Sequence, residues 1–219
     1  MLTLKKLFFL LLYAGWTAGL LACTSLHQES DQGFTYSSIP VASGSAGTGD
    51  GASITFRGTP LPLTGHKVQV GEPLRSVMVA RKDLSLLDLT APKGRVRILS
   101  IVPSLDTKVC EQQTHYLSEK NNGLDASVDL YTISLDTPFA QDRFAREARI
   151  HNVTFLSDYR EAAFGRAHGL LLEGPHLLGR AVMVVDQQNI IRYLQVPPDL
   201  GNMPDMDAAF AAARALSKG

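Results

Sequence analysis

Three residues in one short stretch have the types and spacing needed for thiol chemistry. Thr107 and Pro103 precede Cys110 by three and seven positions. If a helix begins near Thr107, Cys110 lies in its first turn, where unpaired backbone N–H groups and the helix dipole favour a thiolate. Thr107 then shares a face with the sulfur, so its hydroxyl can donate to the thiolate and accept from an incoming hydroperoxide. Pro103 has no N–H group and stiffens the loop over the sulfur, which limits the access of water.

The alternative interpretation of Cys110 is a buried structural thiol, the commoner fate of a single cysteine. Its position argues against that alternative, because ligands and nucleophiles lie at strand-to-helix turns in open α/β sheets. The chain has only two cysteines, Cys23 and Cys110. This number excludes a disulfide framework, a Cys-rich zinc site and a C-x-x-C redox pair. Any thiol chemistry must therefore use one cysteine.

The remaining sequence motifs and the net charge argue against a metal site, a nucleotide cofactor and a nucleic-acid partner. The six histidines show no paired-ligand spacing, and His115, five residues after Cys110, turns away from it on a helix. There is no Gly-x-Gly-x-x-Gly motif and no P-loop, so we expect no nucleotide cofactor. Asp136 and Asp186 end strands, where capping is their expected role. The 21 basic and 21 acidic side chains leave no net charge, which argues against a nucleic-acid partner.

The first 23 residues have the pattern of a bacterial lipoprotein signal. Two lysines precede an apolar stretch from Leu7 to Leu21, and Ala22 and Cys23 follow it directly. This pattern resembles a lipobox, which implies that residues 1–22 are removed and that Cys23 is acylated. The alternatives are an ordinary signal peptide with an incidental cysteine, or an uncleaved anchor. We expect a periplasm-facing envelope lipoprotein, and Thr24 in place of an aspartate favours the outer membrane.

Residues 23–53 are predicted to be a lipidated N-terminus followed by a flexible tether. Residues 43–51 are rich in glycine and serine and offer little apolar surface to bury. After residue 25 no apolar run approaches the roughly 18 residues that a membrane span needs. The folded domain is predicted to span residues 54–219.

From Ile54 onward, strands first alternate with helices, and a hairpin and a closing helix follow. The expected elements are a hairpin around Gly58, a buried strand at Arg95–Val102, a helix from Thr107 to about Asn122, a strand at Val128–Ser134, a helix opened by Pro138, a hairpin joining Ala181–Val185 to Ile190–Val196, and a last helix at Met206–Leu216. This order predicts the α/β sandwich of a thioredoxin-like fold with an N-terminal β-hairpin.

Three ordered motifs resemble the bacterial thiol peroxidase subfamily of peroxiredoxins. The first is Pro-x-x-x-Thr-x-x-Cys within Ile101–Cys110, which is similar to the peroxidatic motif of peroxiredoxins. Ser134–Phe144 resembles the second signature of the subfamily, and Gly179–Asp186 resembles its arginine-bearing strand. The resemblance runs from about Ile54 to the C-terminus.

The resemblance implies a peroxiredoxin fold, a homodimer, no cofactor and four site roles. Cys110 would be the peroxidatic nucleophile, Thr107 would position the peroxide and Pro103 would shield the site. Arg180 would stabilise the thiolate and the leaving oxyanion, a role that a cation can fill when charge develops on oxygen. By itself, an arginine at the start of a strand has only the pattern of a solvated edge residue.

The sequence departs from the subfamily at Ala145. Members usually carry a resolving cysteine there, directly after the Phe-Ala-Gln-x-Arg-Phe stretch, and Cys23 is expected to be blocked. Cys110 is therefore predicted to stop at the sulfenic acid until an external thiol, a thioredoxin-like protein or glutathione, reduces it. We expect a one-cysteine peroxidase acting on hydrogen peroxide and on alkyl or lipid hydroperoxides. The alternative is a peroxide sensor or binding module that no longer turns over.

Overall fold

A seven-stranded mixed sheet forms the centre of the fold in the computed structural model, which describes residues 33–91 and 94–218. The strands of the described residues, in chain order, are β1 (Ser53–Phe56), β2 (Thr59–Pro62), β3 (Met78–Ala80), β4 (Leu86–Asp88), β5 (Val96–Ile101), β6 (Val128–Ser134), β7 (Thr154–Ser157), β8 (Leu171–Leu172), β9 (Leu177–Leu178), β10 (Ala181–Val185) and β11 (Ile191–Gln195). The helices are α1 (Lys108–Glu119), α2 (Pro138–Glu147), α3 (Ala163–Ala167) and α4 (Met206–Ser217), with a 3-10 turn at Leu124–Ala126.

The main sheet has the spatial order β11-β10-β5-β6-β7-β3-β4. Strands β5, β6 and β7 run parallel to one another, whereas the outer strands pair antiparallel. The strands β1 and β2 form a separate hairpin, and so do β8 and β9. The predicted α/β architecture with an N-terminal β-hairpin is confirmed.

The central strand β5 is buried along its whole length, because both faces of the sheet are covered. Val96 and Ile98 face the apolar cluster that includes residues of α1 and α4. Leu99 and Ile101 face the opposite cluster, which includes Ile54 of the N-terminal hairpin. The alternation follows the two-residue period of a strand, and it places the C-terminal end of β5 between the two layers.

Local capping explains where the helices begin and end. Thr137 precedes α2 and its side chain accepts from the Ala140 N–H, while Pro138 occupies the first turn. Asp205 caps α4 in the same way through the Ala208 N–H. Helix α1 ends at Glu119, three residues before the predicted end, because the Asn121 side chain donates to the last-turn carbonyls.

The segment predicted to be a flexible tether is folded onto the domain from residue 34 onward, so that prediction is wrong for residues 34–53. The backbone N–H of Ala42 donates to the Met203 carbonyl at 2.8 Å, and that of Ala46 donates to the Val196 carbonyl at 2.8 Å. Thr48 is buried, and its hydroxyl bonds both to the N–H and to the carbonyl of Val68. Backbone hydrogen bonds hold the segment, so its lack of large apolar side chains did not prevent it from ordering.

Two glycine positions show why residues with small side chains are needed where residues 34–53 pack against the domain. A Cβ atom on Gly49 would lie 2.5 Å from the Lys67 nitrogen, and one on Gly169 would lie 2.2 Å from the Gly49 nitrogen. Both glycines also have positive φ angles.

Residues 1–32, including Cys23 and the predicted signal peptide, lie outside the described residues. Within the described part of the chain, no helix has the length and apolarity needed to cross a membrane.

Candidate active site

Cys110 lies in the first turn of α1 and is fully buried. Thr107 is the N-cap residue of this helix, with extended backbone angles, and its side chain makes no capping bond to the helix backbone. Its hydroxyl oxygen lies instead 2.9 Å from Cys110 Sγ and 3.2 Å from the Ser104 carbonyl oxygen. The hydroxyl proton can go to the sulfur or to the carbonyl, so Thr107 can both stabilise a thiolate and accept from a bound ligand.

Arg180 approaches the same sulfur from the start of β10. Its Nη2 lies 3.4 Å from Cys110 Sγ, and its Nε donates to the Leu200 carbonyl at 3.0 Å. The side chain is almost completely buried. Within the described residues no carboxylate forms an ion pair with it. A buried guanidinium without an anionic partner is costly, so its charge is available to the sulfur and to charge that develops beside it.

Gln113 is a site residue that the sequence analysis did not identify. Its Oε1 accepts from Arg180 Nη1 at 2.8 Å, and its Nε2 donates to Ser100 Oγ at 2.9 Å and to the Ala181 carbonyl at 3.2 Å. It follows Cys110 by three residues, so both lie on the buried face of α1. The three-residue spacing from Cys110 is the sequence signal that could have pointed to Gln113. Gln113 fixes the orientation of the guanidinium.

Asp136 holds the loop between β5 and α1, which goes beyond the capping role predicted for it. Its Oδ1 accepts from Ser104 Oγ and its Oδ2 accepts from the Leu105 N–H, each at 2.8 Å. Because β5 and β6 are adjacent and parallel, their C-terminal ends meet at this edge of the sheet. The second sequence signature thus supports the loop that begins at Pro103.

The other neighbours of Cys110 are apolar. Val102 and Leu105 form a small buried cluster with it, and Phe144 of α2 and Phe155 of β7 pack against this cluster. His115 is buried one turn further along α1, where it stacks on Phe34 at 3.9 Å and pairs with Glu119. In keeping with the sequence analysis, the interactions of His115 are with these residues and not with the sulfur.

An apolar cavity of about 490 Å³ opens beside the sulfur. Three of the four predicted site residues, Pro103, Thr107 and Arg180, lie in its wall. Its remaining surface is mainly hydrophobic and comes from the N-terminal hairpin, the β8–β9 region and the loop after β11, with Phe56, Leu61, Leu172, Pro175, Leu177 and Leu200. The structure therefore places Pro103, Thr107 and Arg180 in the cavity wall, with the Cys110 sulfur directly behind Thr107 and Arg180.

Comparison with known proteins agrees with this geometry. Residues 69–210 match the family model described as Redoxin. The chain is 41% identical to a thiol peroxidase of Halalkalibacterium halodurans over 164 residues, which are 75% of this chain and 98% of that protein. It is 42% identical to a thiol peroxidase of Streptococcus pneumoniae over 163 residues, 74% of this chain and 99% of the other. This chain belongs to the bacterial thiol peroxidase subfamily of peroxiredoxins.

Solved structures confirm the peroxiredoxin fold, and with it the predicted thioredoxin-like class. A peroxiredoxin-like protein from Aquifex aeolicus superposes with a TM-score of 0.68 at 32% identity, over 75% of this chain and 96% of the other. A thiol peroxidase from Chromobacterium violaceum gives a TM-score of 0.64 at 21% identity, over 74% of this chain and 95% of the other. The protein is a peroxiredoxin-type, thiol-dependent peroxidase.

Proposed function

We propose that this peroxiredoxin reduces hydrogen peroxide and organic hydroperoxides through Cys110 alone, with an external thiol as the reductant. The proposal rests on one observation. Cys110 Sγ lies 2.9 Å from the Thr107 hydroxyl and 3.4 Å from the Arg180 guanidinium, and both of these residues line an apolar cavity. A sulfur nucleophile, a hydroxyl that can donate or accept, and a buried cation are the groups that cleavage of a peroxide requires.

The chemistry follows from the roles of these three groups. The Cys110 thiolate attacks the terminal oxygen of R–O–O–H, an S–O bond forms, and the O–O bond breaks. Negative charge develops on the departing RO oxygen, where Arg180 can stabilise it. The departing oxygen takes up a proton and leaves as an alcohol or water, and Cys110 becomes a sulfenic acid. Thr107 can accept from the peroxide O–H before the reaction.

The cavity supports organic hydroperoxides as substrates. Half of the residues that line it are leucine, proline or phenylalanine, and the polar or charged ones are Ser104, Thr107, Arg57, Lys108 and Arg180. Such a surface favours the alkyl part of a hydroperoxide, because burying apolar area contributes about 25 cal/mol per Å². A lipid anchor at Cys23 would also place this cavity near lipid hydroperoxides.

We propose a single-cysteine cycle because Ala145 stands where subfamily members carry a resolving thiol. Cys110 is the one cysteine among the described residues. Its sulfenic acid must therefore be reduced from outside, by a thioredoxin-like protein or a small thiol. Two equivalents of thiol supply the two electrons that return Cys110 to the thiol.

A peroxide sensor is the second candidate function. Complete burial of Cys110 favours it, since a covered sulfenic acid without a resolving partner would persist long enough to signal. Steady-state peroxide consumption with glutathione, dithiothreitol or a thioredoxin-type donor separates the two functions. We expect multiple turnovers in the wild type and none in Cys110→Ser. Oxidation that stops after one equivalent with every donor would favour the sensor, and full activity in Cys110→Ser would overturn the peroxidase proposal.

We also propose that the protein is a homodimer. We further propose that it is an envelope lipoprotein that is anchored through Cys23, faces the periplasm and lies at the outer membrane. The lipobox pattern before Cys23 supports the anchor. Metabolic labelling with a palmitate analogue should mark the wild type but not Cys23→Ala. Recovery of an unlabelled wild-type protein in the soluble periplasmic fraction would contradict the anchor. Sedimentation of the detergent-solubilised protein at the mass of one chain would contradict the dimer.

A further inference from the structure

The sheet places different neighbours on the two sides of Cys110. Arg180 comes from the start of β10, which pairs with one edge of β5. Phe144 and Phe155 come from α2 and β7, and β7 lies beyond the other edge of β5, across β6. Neither phenylalanine lines the active-site cavity. The sulfur therefore lies between that cavity and an aromatic wall.

A second cavity, of about 330 Å³, lies next to this aromatic wall and shares no lining residue with the first. We call it the α2–β7 cavity. Phe155 and Ala145 contribute to its lining, so it lies one side chain away from the cluster that contains Cys110. Three cations, Arg81, Lys82 and Arg146, also line it.

The charge of the α2–β7 cavity favours an anionic ligand. Asp142 is the acidic residue that lines it, and this carboxylate already pairs with Arg146 at 3.3 Å. Within the described part of the chain, neither Arg81 nor Lys82 forms an ion pair. The exposed Asp83 carboxylate, in the same turn, accepts from the N–H and hydroxyl of Ser85 and also interacts electrostatically with Arg81. Arg81 and Lys82 thus present two positive charges that form no ion pair among the described residues and can receive a carboxylate.

The peroxide reaction determines the side from which a reductant must come. The oxygen transferred to Cys110 arrives from the active-site cavity, so the new S–O bond points toward Thr107 and Arg180. A thiolate displaces that oxygen in line, approaching the sulfur from the side opposite to the S–O bond. The thiolate must therefore reach the sulfur from the side of Phe144 and Phe155. The α2–β7 cavity lies next to these two rings.

We propose that the α2–β7 cavity binds the reductant, and that this reductant is a low-molecular-weight thiol bearing carboxylates, the class to which glutathione belongs. This inference rests on the proposed function. A carboxylate binds Arg81 and Lys82, and the thiol lies toward Ala145 and reaches Cys110 when the Phe155 ring moves aside. The methyl side chain of Ala145 leaves room for the thiol at this wall.

The reductive steps balance with two thiol molecules. The first thiolate forms an S–S bond with Cys110 as the S–O bond breaks, and the oxygen leaves as water with the thiol proton. A second thiol attacks the mixed disulfide at the sulfur of the first molecule. Cys110 leaves as the thiolate, and the two small molecules depart as a disulfide. Sulfur of the reductant is oxidised, and the sulfenic sulfur is reduced.

The test measures two steps separately in the purified full-length protein: oxidation of Cys110 by peroxide, and reduction of its sulfenic acid by a thiol. Cys110 is first oxidised with one equivalent of hydrogen peroxide, and the rate of oxidation is recorded by intact mass. The oxidised protein is then mixed with glutathione or with 2-mercaptoethanol, which has no carboxylate, and the remaining sulfenic acid is trapped with a sulfenate-reactive probe. The double variant Arg81→Gln/Lys82→Gln is compared with Arg95→Gln. Arg95 is a half-exposed arginine that pairs with Asp129 at the opposite end of β5.

We expect the double variant to react with glutathione at least tenfold more slowly than the wild type, and with 2-mercaptoethanol at the wild-type rate. Arg95→Gln should match the wild type with both thiols. An unchanged glutathione rate in the double variant, or an equal loss with both thiols, would overturn the proposal. So would a wild-type sulfenic acid that only a thioredoxin-type protein reduces.

A steric variant tests the same cavity independently of charge. Ala145→Leu fills the wall beside Phe155, so reduction by glutathione should slow at least fivefold while oxidation by hydrogen peroxide stays at the wild-type rate. The unchanged oxidation step also shows that the variant is folded. Unimpaired reduction by glutathione in this variant would contradict the route. Failure of the wild type to react with peroxide would instead refute the proposed function, and it would be seen in the first half-reaction.

Discussion

At the scale of single residues, the site depends on how the charge of Arg180 is directed. The guanidinium donates to the Gln113 oxygen, to the Leu200 carbonyl and to the Cys110 sulfur, so both of its protein oxygen partners are neutral. A neutral amide orients the cation without cancelling its charge. Gln113 is therefore a positioning residue whose neutrality matters as much as its shape.

The variant Gln113→Glu tests this role because it keeps an acceptor for Arg180 and adds a negative charge. The carboxylate would compete with the thiolate and the leaving oxyanion for the guanidinium. We expect oxidation of Cys110 by peroxide to slow about tenfold, which corresponds to about 1.4 kcal/mol in the barrier. The rate is measured by quenched-flow mass analysis under excess peroxide.

The matched control is Gln112→Glu on the same helix, since Gln112 bonds to the backbone of Ser37 and not to Arg180. It should oxidise at close to the wild-type rate. Equal rates in Gln113→Glu and the wild type would show that the charge of Arg180 is not used in the peroxide step.

At the scale of elements, the N-terminal segment holds the helix that carries the nucleophile. Phe34 stacks on His115 with ring centroids 3.9 Å apart, and the Tyr36 hydroxyl donates to Glu119 at 2.8 Å. The backbone of Ser37 exchanges two hydrogen bonds with the Gln112 amide, at 2.7 and 3.0 Å. These contacts extend over about two turns of α1, so the segment stabilises the helix from outside the sheet.

Phe34→Ala should therefore loosen α1 and lower the stability of the protein. Losing a stacked aromatic pair and its buried area should reduce the free energy of unfolding by about 1–2 kcal/mol. Amide hydrogen exchange should speed up in Lys108–Glu119 more than in the central strands. Phe139→Ala is the matched control, because that ring is 66% exposed on α2. Equal effects of the two substitutions in urea unfolding would show that the segment does not brace the helix.

At the scale of the whole molecule, two buried groups near α3 make opposite contributions to the pH dependence of stability. Burial raises the pKa of Asp158 to about 6, although its carboxylate accepts from the N–H groups of Phe164 and Gly165. Burial lowers the pKa of His168 to about 4. The His168 ring accepts from the Arg75 N–H and contacts the Phe164 carbonyl, which suits the neutral form.

The direction of each effect on stability depends on whether the folded or the unfolded chain binds the additional proton. Between pH 6.5 and 4 the unfolded state binds a proton at His168 that the folded state does not, so acidification destabilises the fold. Between pH 6 and 3.8 the folded state binds a proton at Asp158 that the unfolded state does not, so acidification stabilises it. Each of these pKa changes corresponds to on the order of 3 kcal/mol, and the two contributions oppose each other in the wild type.

Asp158→Asn should expose the contribution of His168. In this variant the free energy of unfolding should fall by on the order of 3 kcal/mol between pH 6.5 and 4, whereas the wild type changes much less. His168→Gln should show the opposite slope, with stability rising as the pH falls through 6. Urea unfolding at several pH values measures all three proteins. Parallel curves would mean that neither group changes its pKa on folding.

Short-range features of the site could be predicted from the sequence because they lie within one turn or one element. The three-residue spacing of Thr107 and Cys110 predicted the hydroxyl beside the sulfur, and the structure shows that contact at 2.9 Å. The strand at Val128–Ser134 and the helix opened by Pro138 also appear at the predicted positions. In each case periodicity and capping act between near neighbours, so no knowledge of distant contacts was needed.

Only the tertiary structure decided the long-range contacts. Composition predicted a free tether at residues 34–53, because it cannot show that backbone N–H groups find carbonyl partners more than a hundred residues away. Family resemblance pointed to Arg180, but the placement of β10 beside β5 brings its guanidinium to Cys110 across 70 positions. The roles of Gln113 and Asp136 likewise depend on which strands are adjacent. Local patterns determine the elements, whereas the partners of a buried polar group depend on how the whole sheet is assembled.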